Sequence, residues 1–260
     1  MRVLVVNAGS SSLKLARLDV DGAVTAHRYS EYGRAVPARP GDVLILEGTC
    51  DSFGEDTAVV SGRVTVDGET ILEATDVMCA LIDASDLAGI GDDSFDLVVS
   101  IFGAMFAPKP FDVAKEMVRV TRPGGRIVMG NWIPNDPTLV AQILKISSAF
   151  TPPPPQGFVS PMTWGVEDNV IERFTAAGIP EERISFEKDT YTFSYPGPPS
   201  ELVATFRSYY GPTMNAFDAA EKNGRAADLQ NELEALFNSQ NTSPDATSIP
   251  ATFLRVTVSA

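Results

Sequence analysis

The pattern of apolar and polar positions divides the chain into stretches of different texture. Arg2–Val6 is dominated by an unbroken apolar run, Val3-Leu4-Val5-Val6, the pattern of a strand covered on both faces. Asn7-Ala8-Gly9-Ser10-Ser11-Ser12 interrupts it, and Leu13–Leu18 then alternates as a return strand turning at Asp21-Gly22. Val43–Glu47, Thr57–Val66 and Glu69–Ala80 also read as strands, with Asp67-Gly68 as a hairpin turn between the last two. Residues 37–82 therefore predict a β-meander, whose apolar face needs a covering layer, most simply a helix.

From residue 83 onward the periods of strand and helix alternate. Leu97–Ser100 is a buried-strand pattern, and Phe111–Val120 has helical spacing, with Phe111, Ala114, Met117 and Val118 on one side. Pro123-Gly124-Gly125 predicts a sharp turn before a second buried strand, Arg126–Gly130. Strand, helix, turn and strand in this order form the right-handed crossover of a parallel sheet. Further on, Glu167–Ala177 predicts a helix ended by Gly178, and Arg183–Tyr195 a strand. Glu201–Tyr210 and Asn215–Phe237 predict helices, the latter interrupted at Asn223-Gly224, and Thr252–Val258 a closing strand. The proline-rich stretches Pro152–Pro155 and Pro196–Pro199 read as rigid, extended connectors.

Composition narrows the function classes. The 260 residues include 34 acidic and 20 basic side chains, a net charge of −14. That balance argues against a nucleic-acid backbone or an anionic membrane as the main partner. Cys50 and Cys79 form no CxxC pair, and the single histidine, His27, excludes a multi-histidine metal site. No apolar run reaches the length of a membrane span, and the first apolar run is too short for a signal peptide. The expectation is a cytoplasmic protein with no metal, no membrane partner and no nucleic-acid partner.

Candidate chemistry begins at the first loop. A small Gly/Ser loop after a strand exposes backbone N–H groups and hydroxyls, and Lys14 adds positive charge, a combination that suits a phosphate. The plain alternative is a hairpin turn. The string V-L-V-V-N-A-G-S-S-S-L-K resembles the N-terminus of acetate kinases, over about the first twenty residues. The resemblance implies that Asn7, Ser10, Ser12 and Lys14 lie near a nucleotide phosphate. The strings R-P-G-D-V-L-I-L-E and V-S-G-R-V-T-V-D-G-E-T-I-L-E-A-T-D-V-M-C-A resemble the C-terminal strands of hotdog-fold 3-hydroxyacyl-thioester dehydratases. That family uses a histidine and an acid, and His27 stands without such a partner; it reads as a surface residue.

The longest resemblance starts at Asp83. D-A-S-D-L, D-D-S-F-D-L-V-V-S-I-F-G and E-M-V-R-V-T-R-P-G-G-R-I-V-M-G-N-W resemble class I S-adenosylmethionine-dependent methyltransferases, particularly the ubiquinone/menaquinone-biosynthesis type. The resemblance implies a Rossmann-like α/β sheet with S-adenosylmethionine as cofactor. Asp83, with Ala84 beside it, would receive the adenine amino group. Ser100, Ile101, Phe102 and Gly103 would line the methionine end and the methyl-transfer opening, and Asp96 would brace its strand. No general base is assigned. The insertion from Ile133 to Trp164, with Phe150, Phe158, Met162 and Trp164, would lid an apolar substrate, or those aromatics pack the lid itself.

Such methyltransferases normally open with a strand, a Gly-rich turn, a helix and a second strand ending in an acid. Residues 1–82 contain no G-x-G-x-G. A parallel crossover needs about a dozen residues, and Leu13–Leu18 leaves no room for one before Asp19. Val3–Ser12 is therefore not expected to replace the missing strand and loop. The chain reads as a mosaic: an acetate-kinase-like fragment (1–36), a hotdog-like meander (37–82), and a methyltransferase-like α/β domain (83–260). The fold class expected is α/β, an incomplete Rossmann-like methyltransferase sheet with an atypical, largely β N-terminal segment. Its N-terminal strands would pair onto the open edge of that sheet, because an uncovered edge is unstable.

The leading functional expectation is methyl transfer to a small, partly apolar acceptor. The alternative is a non-catalytic, methyltransferase-shaped binding or scaffold protein, with Phe102, Met105, Phe106 and Trp132 lining a pocket. Acetate-kinase-like phosphoryl transfer ranks third, because the partner residues of that chemistry have no counterpart here.

Overall fold

The computed structural model describes residues 90–260 in full, and the backbone of the strands within residues 3–7, 44–53, 57–66 and 69–81. The predicted return strand Leu13–Leu18 and His27 lie outside the described residues. The chain divides into two units. The first comprises Met1–Met129, Arg173–Ile184 and Thr257–Ala260; the second comprises Gly130–Glu172 and Ser185–Val256.

The first unit is built on strands β1 (Val3–Asn7), β2 (Leu44–Phe53), β3 (Thr57–Val66), β4 (Glu69–Leu81), β5 (Phe95–Ile101) and the larger part of β6 (Thr121–Trp132). Their order across the sheet is β2-β3-β4-β1-β5-β6. β2, β3 and β4 form the expected antiparallel meander. β4, β1 and β5 run parallel. The short apolar run Val3–Val6 therefore has a parallel strand on each side within the sheet.

This arrangement corrects one expectation. Val3–Asn7 does take a central, parallel position, because its neighbours are not the next segment in the chain. They are β4 and β5, which become its neighbours through long connections. β1 docks on β5, and β4 docks on β1, so the N-terminal strands do extend the sheet's edge.

Helix α1 (Pro110–Val120) starts with proline at its first turn, where the missing N–H costs nothing. Its buried residues are Pro110, Val113, Ala114, Met117 and Val120. Phe111, expected on the inner side, is 45% exposed. The 3.6-residue period holds, but its phase is set by Pro110 and Val113 rather than by the aromatic residue.

The bounds of β6 take in Pro123-Gly124-Gly125, and the chain bends there as the sequence predicts, with Pro123 before a Gly124 of positive φ. Gly124 adopts φ +79, and its N–H donates to the Ala260 carbonyl at 3.0 Å, while Ala260 N–H donates back to the Gly125 carbonyl at 3.0 Å. Pairing with the distant residue Ala260 adds to that bend. A Cβ on Gly125 would come within 2.8 to 3.0 Å of Thr121 Cγ2, the Arg122 carbonyl and the Asp96 carbonyl, so a side chain there would wedge the backbones apart.

α3 (Glu167–Ala176) ends as the sequence predicts. Gly178 takes φ +93; Ile179 N–H donates to the Phe174 carbonyl and Gly178 N–H to the Thr175 carbonyl, both at 3.0 Å. These paired bonds satisfy the last carbonyls of the helix, with buried Ile179 and Phe174 as their apolar partners.

The second unit holds the end of β6 beside β8 (Thr247–Ser259) and β7 (Ile184–Tyr195), with helices α2 (Leu139–Ser148), α4 (Pro199–Tyr209), α5 (Gly211–Lys222) and α6 (Ala226–Gln240). α5 and α6 part at Asn223-Gly224, where Gly224 takes φ +67. Arg255 on β8 ties two carboxylates of β7, Asp189 and Glu187, each at 2.6 Å. An aromatic cluster joins strands and helices: Trp132 meets Phe193 and Phe253, Phe193 meets Phe206, and Phe206 meets both Phe237 and Tyr210. Trp132 and Phe193 are stacked and the other pairs edge-to-face, geometries that add about 0.5–1.5 kcal/mol per pair to the area buried.

The Tyr210 hydroxyl is buried in this cluster with no hydrogen-bond partner among the described residues. Burial pushes its pKa up from the ordinary 10.0. An unpartnered buried hydroxyl is costly, so Tyr210→Phe is expected to raise the urea unfolding free energy at neutral pH by about 1 kcal/mol. The pH dependence has a fixed sign. The folded state keeps the neutral phenol above pH 10, where the unfolded chain loses its proton, so this group's contribution is intact below that pH and is lost as pH rises. Stability falling less between pH 9.5 and 11 in Tyr210→Phe than in the wild type checks the prediction.

Candidate functional site

Parallel strands end at the same edge. In β1 and β4, Asn7 stands beside Leu81, and in β1 and β5, Val5 stands beside Val99. The chain therefore leaves β1 after Asn7, β4 after Leu81 and β5 after Ile101 along one carboxyl edge. β1 has β4 on one side and β5 on the other, so the direction of winding reverses beside it. In open α/β sheets such a reversal leaves a crevice outside the carboxyl ends, and ligands bind there.

The end of β5 is the described part of that edge. The Ser100 side chain is buried and turned inward: its Oγ accepts the Ala104 N–H at 2.8 Å. This bond starts a single 3-10 turn, Ala104–Phe106, closed by Phe106 N–H to the Gly103 carbonyl at 3.0 Å and by Ala107 N–H to the Ala104 carbonyl at 3.1 Å. Between strand and turn, Phe102 is forced to φ +58. For a bulky residue this left-handed conformation is an outlier costing about 1–3 kcal/mol, held only when its surroundings determine it. Ile101 and Phe102 are partly exposed, whereas Gly103, Ala104 and Met105 are buried.

The approach to β5 is held as firmly. Arg119 of α1 donates through Nη1 to the Ile90 carbonyl at 2.7 Å and to Asp92 at 2.6 Å, and through Nε and Nη2 to Glu116 at 3.0 and 2.8 Å. The Glu116 and Asp92 carboxylates push the Arg119 pKa still further above its ordinary value. Asp93 and Ser94 N–H groups donate to the Arg119 and Val120 carbonyls at 3.0 and 2.9 Å. Arg122 meets Asp96 at 2.5 Å, so Asp96 braces β5. Neither arginine was singled out from the sequence. Glu116 three residues before Arg119 is the one local signal; the loop partners become visible only with the fold.

The anticipated residues are distributed as follows. Ser100, Ile101, Phe102 and Gly103 stand together at the carboxyl edge. Asn7 ends β1 at the same edge. Asp83, Ala84, Ser10, Ser12 and Lys14 lie outside the described residues, although β4 ends two residues before Asp83. Of the anticipated apolar pocket, Met105 is buried and Phe106 exposed; Trp132 packs within the second unit. In the expected lid, Phe150 and Trp164 are buried while Phe158 is exposed.

The chemistry of this wall suits a cationic, partly apolar ligand. From Ser100 to Pro108 there is no charged side chain, so no basic group in that stretch opposes a sulfonium, and an aromatic face favours one. The described residues hold no cluster of His, Cys, Asp and Glu able to bind a metal ion, and no helix long and apolar enough to cross a membrane.

Comparison with known proteins finds similarity to a methyltransferase domain over part of the chain. Residues 59–129, from β3 into β6, match the family model of a methyltransferase domain. An uncharacterised protein of Mycobacterium tuberculosis is 34% identical over 125 residues, 47% of this chain and 43% of its own length. A phosphatidylethanolamine N-methyltransferase of Cereibacter sphaeroides is 34% identical over 95 residues, 36% of this chain and 42% of its own. The chain spans about half the length of the curated relatives it matches. Among solved structures, a Haemonchus contortus phosphoethanolamine N-methyltransferase shares 15% identity, with 71% of this chain and 37% of that chain covered and a TM-score of 0.32.

Proposed function

We propose that this chain is an S-adenosylmethionine-dependent methyltransferase acting on a small, partly apolar acceptor. The observation that carries the reading is the carboxyl edge of β1, β4 and β5, where the uncharged stretch Ser100–Pro108, with Phe102 at positive φ, leaves β5 beside the point where the strand order reverses. The methyltransferase-domain match over residues 59–129 supports it.

Bound S-adenosylmethionine supplies a methyl group on a sulfonium, open to in-line displacement by a nucleophilic atom of the acceptor. The chain's part is to bind, orient and exclude water. Asp83, with Ala84 beside it in sequence, would accept a hydrogen bond from the adenine amino group. Ile101, Phe102 and Gly103 would form the floor at the methionine end. The buried hydroxyl of Ser100 serves as a positioning group, because its bond to Ala104 N–H holds Phe102 in its left-handed conformation.

The absence of G-x-G-x-G supports a second reading, a methyltransferase-shaped binding protein without catalysis. Calorimetric titration of the folded protein with S-adenosylhomocysteine separates the two. Micromolar affinity is the expected result. No heat of binding at millimolar ligand, from a protein that unfolds cooperatively, overturns the enzyme reading in favour of the second.

A further inference from the structure

The connection from β4 to β5 begins after Leu81 and ends at Phe95. Asp83 belongs to its first residues; its last, 90–94, are described and form neither helix nor strand. Within them Asp93 takes φ +54, a left-handed conformation uncommon for any residue but glycine. The C-terminal turn of α1 fixes it there. Asp93 and Ser94 donate their N–H groups to the Arg119 and Val120 carbonyls, and the Ser94 hydroxyl donates to the Gly91 carbonyl at 2.6 Å.

The Arg119 side chain adds a second hold, farther back along the loop. Its Nη1 donates to the Ile90 carbonyl at 2.7 Å and to Asp92 at 2.6 Å. Glu116, one turn earlier on α1, accepts Nε at 3.0 Å and Nη2 at 2.8 Å, which leaves Nη1 directed at the loop. Of the two loop contacts, the one to Ile90 is the stronger hold. The Asp92 side chain is 73% exposed, and an ion pair so open to water is worth little. The bond to the Ile90 carbonyl is partly buried and comes from a charged donor. Lysine is no substitute, because one ammonium cannot serve a carbonyl and two carboxylates in the fixed geometry of the guanidinium fork.

We propose that Arg119 is a positioning residue for the cofactor: its bond to the Ile90 carbonyl pins the connection that carries Asp83, and thereby sets the affinity for the adenosine half of S-adenosylmethionine, an assignment that rests on the methyl-transfer reading above. The physical link is chain closure. Leu81 is fixed by its place beside Asn7 in the sheet. With Ile90 pinned, residues 82–89 span the distance between two anchors. Without the pin the span extends to residue 92, because the backbone bond from Asp93 to Arg119 remains. A longer span between anchors has more conformations to lose when a ligand orders it, and that cost is subtracted from the affinity. Arg119 thus acts on the ligand through the loop.

Calorimetric titration of the full chain with S-adenosylhomocysteine and with 5′-methylthioadenosine tests it. In Arg119→Met the affinity for both ligands is expected to fall by the same factor, roughly threefold to tenfold, within the range for a residue that acts on a ligand through others. Lys115→Met removes an exposed cation from the same helix and is expected to bind as the wild type, which separates loop position from net charge. Arg119→Lys, which keeps the charge, is expected to lose affinity like Arg119→Met, and it gives the same reading should the methionine variant not fold. A purely structural role for Arg119 would lower the thermal transition and leave the affinity of the folded protein at the wild-type value; that result overturns the proposal. So does a loss for S-adenosylhomocysteine that 5′-methylthioadenosine does not share. Absence of binding by the wild type overturns the methyl-transfer reading and the proposal together, whereas wild-type binding undiminished in both Arg119 variants overturns the proposal alone.

Discussion

Asp83→Ala is expected to weaken S-adenosylhomocysteine binding by roughly tenfold to a hundredfold, the range for losing one hydrogen bond to a charged group. The argument runs from the register of the sheet to a single carboxylate. β4 stands parallel to β1 with Leu81 beside Asn7, so the chain two residues later departs from the edge where β5 presents its uncharged wall. A carboxylate there has an amino group to receive if adenine lies over that edge. Asp83→Asn keeps an acceptor oxygen and should lose much less. An analogue with a carbonyl in place of the adenine amino group should bind the wild type poorly and gain little from the carboxylate, so Asp83→Ala should narrow the gap between the two ligands. Calorimetric titrations of both ligands against the three proteins read this directly. Equal losses for the two ligands would mean that Asp83 acts on the fold and not on the adenine.

Local chemistry made some of these features legible. Asn223-Gly224 divides α5 from α6 because a left-handed residue ends a helix wherever it stands. Gly178 closes α3 for the same reason. The meander β2-β3-β4 follows from alternation and from a two-residue turn, both short-range signals. Where partners are far apart in the chain, the pattern was silent. The apolar run Val3–Val6 implies two covered faces but does not name the strands beside it, β4 and β5. Pro123-Gly124-Gly125 carries every mark of a turn and does bend at Gly124, but its hydrogen bonds with Ala260 are not readable from the sequence. In the site, the uncharged stretch Ser100–Gly103 was readable, whereas the strain at Phe102 was not. Nothing in a phenylalanine announces a positive φ; it arises from the Ser100–Ala104 bond and the turn that follows.

Trp164→Ala is expected to lower the unfolding free energy of the second unit by about 3–5 kcal/mol, the cost of deleting a large buried aromatic side chain. Trp164 is 1% exposed and among the largest fully buried side chains. It follows Ser160, whose hydroxyl starts the turn Pro161–Gly165, and precedes Gly165, whose added Cβ would collide with the Trp132 carbonyl oxygen. That close approach leaves the neighbouring backbone little freedom to collapse into the cavity, which argues for the upper part of the range. Within the same insertion, Phe158→Ala should change stability by no more than about 0.5 kcal/mol, as for an ordinary surface position. Urea unfolding followed by tryptophan-independent circular dichroism separates the two. Comparable losses in both variants would mean that the tip is packed in the folded state, against its exposure; a small loss in Trp164→Ala would mean that the insertion contributes little to the unit's core. The expected contrast assigns one aromatic residue of the insertion to holding the unit together and leaves the other free to face outward.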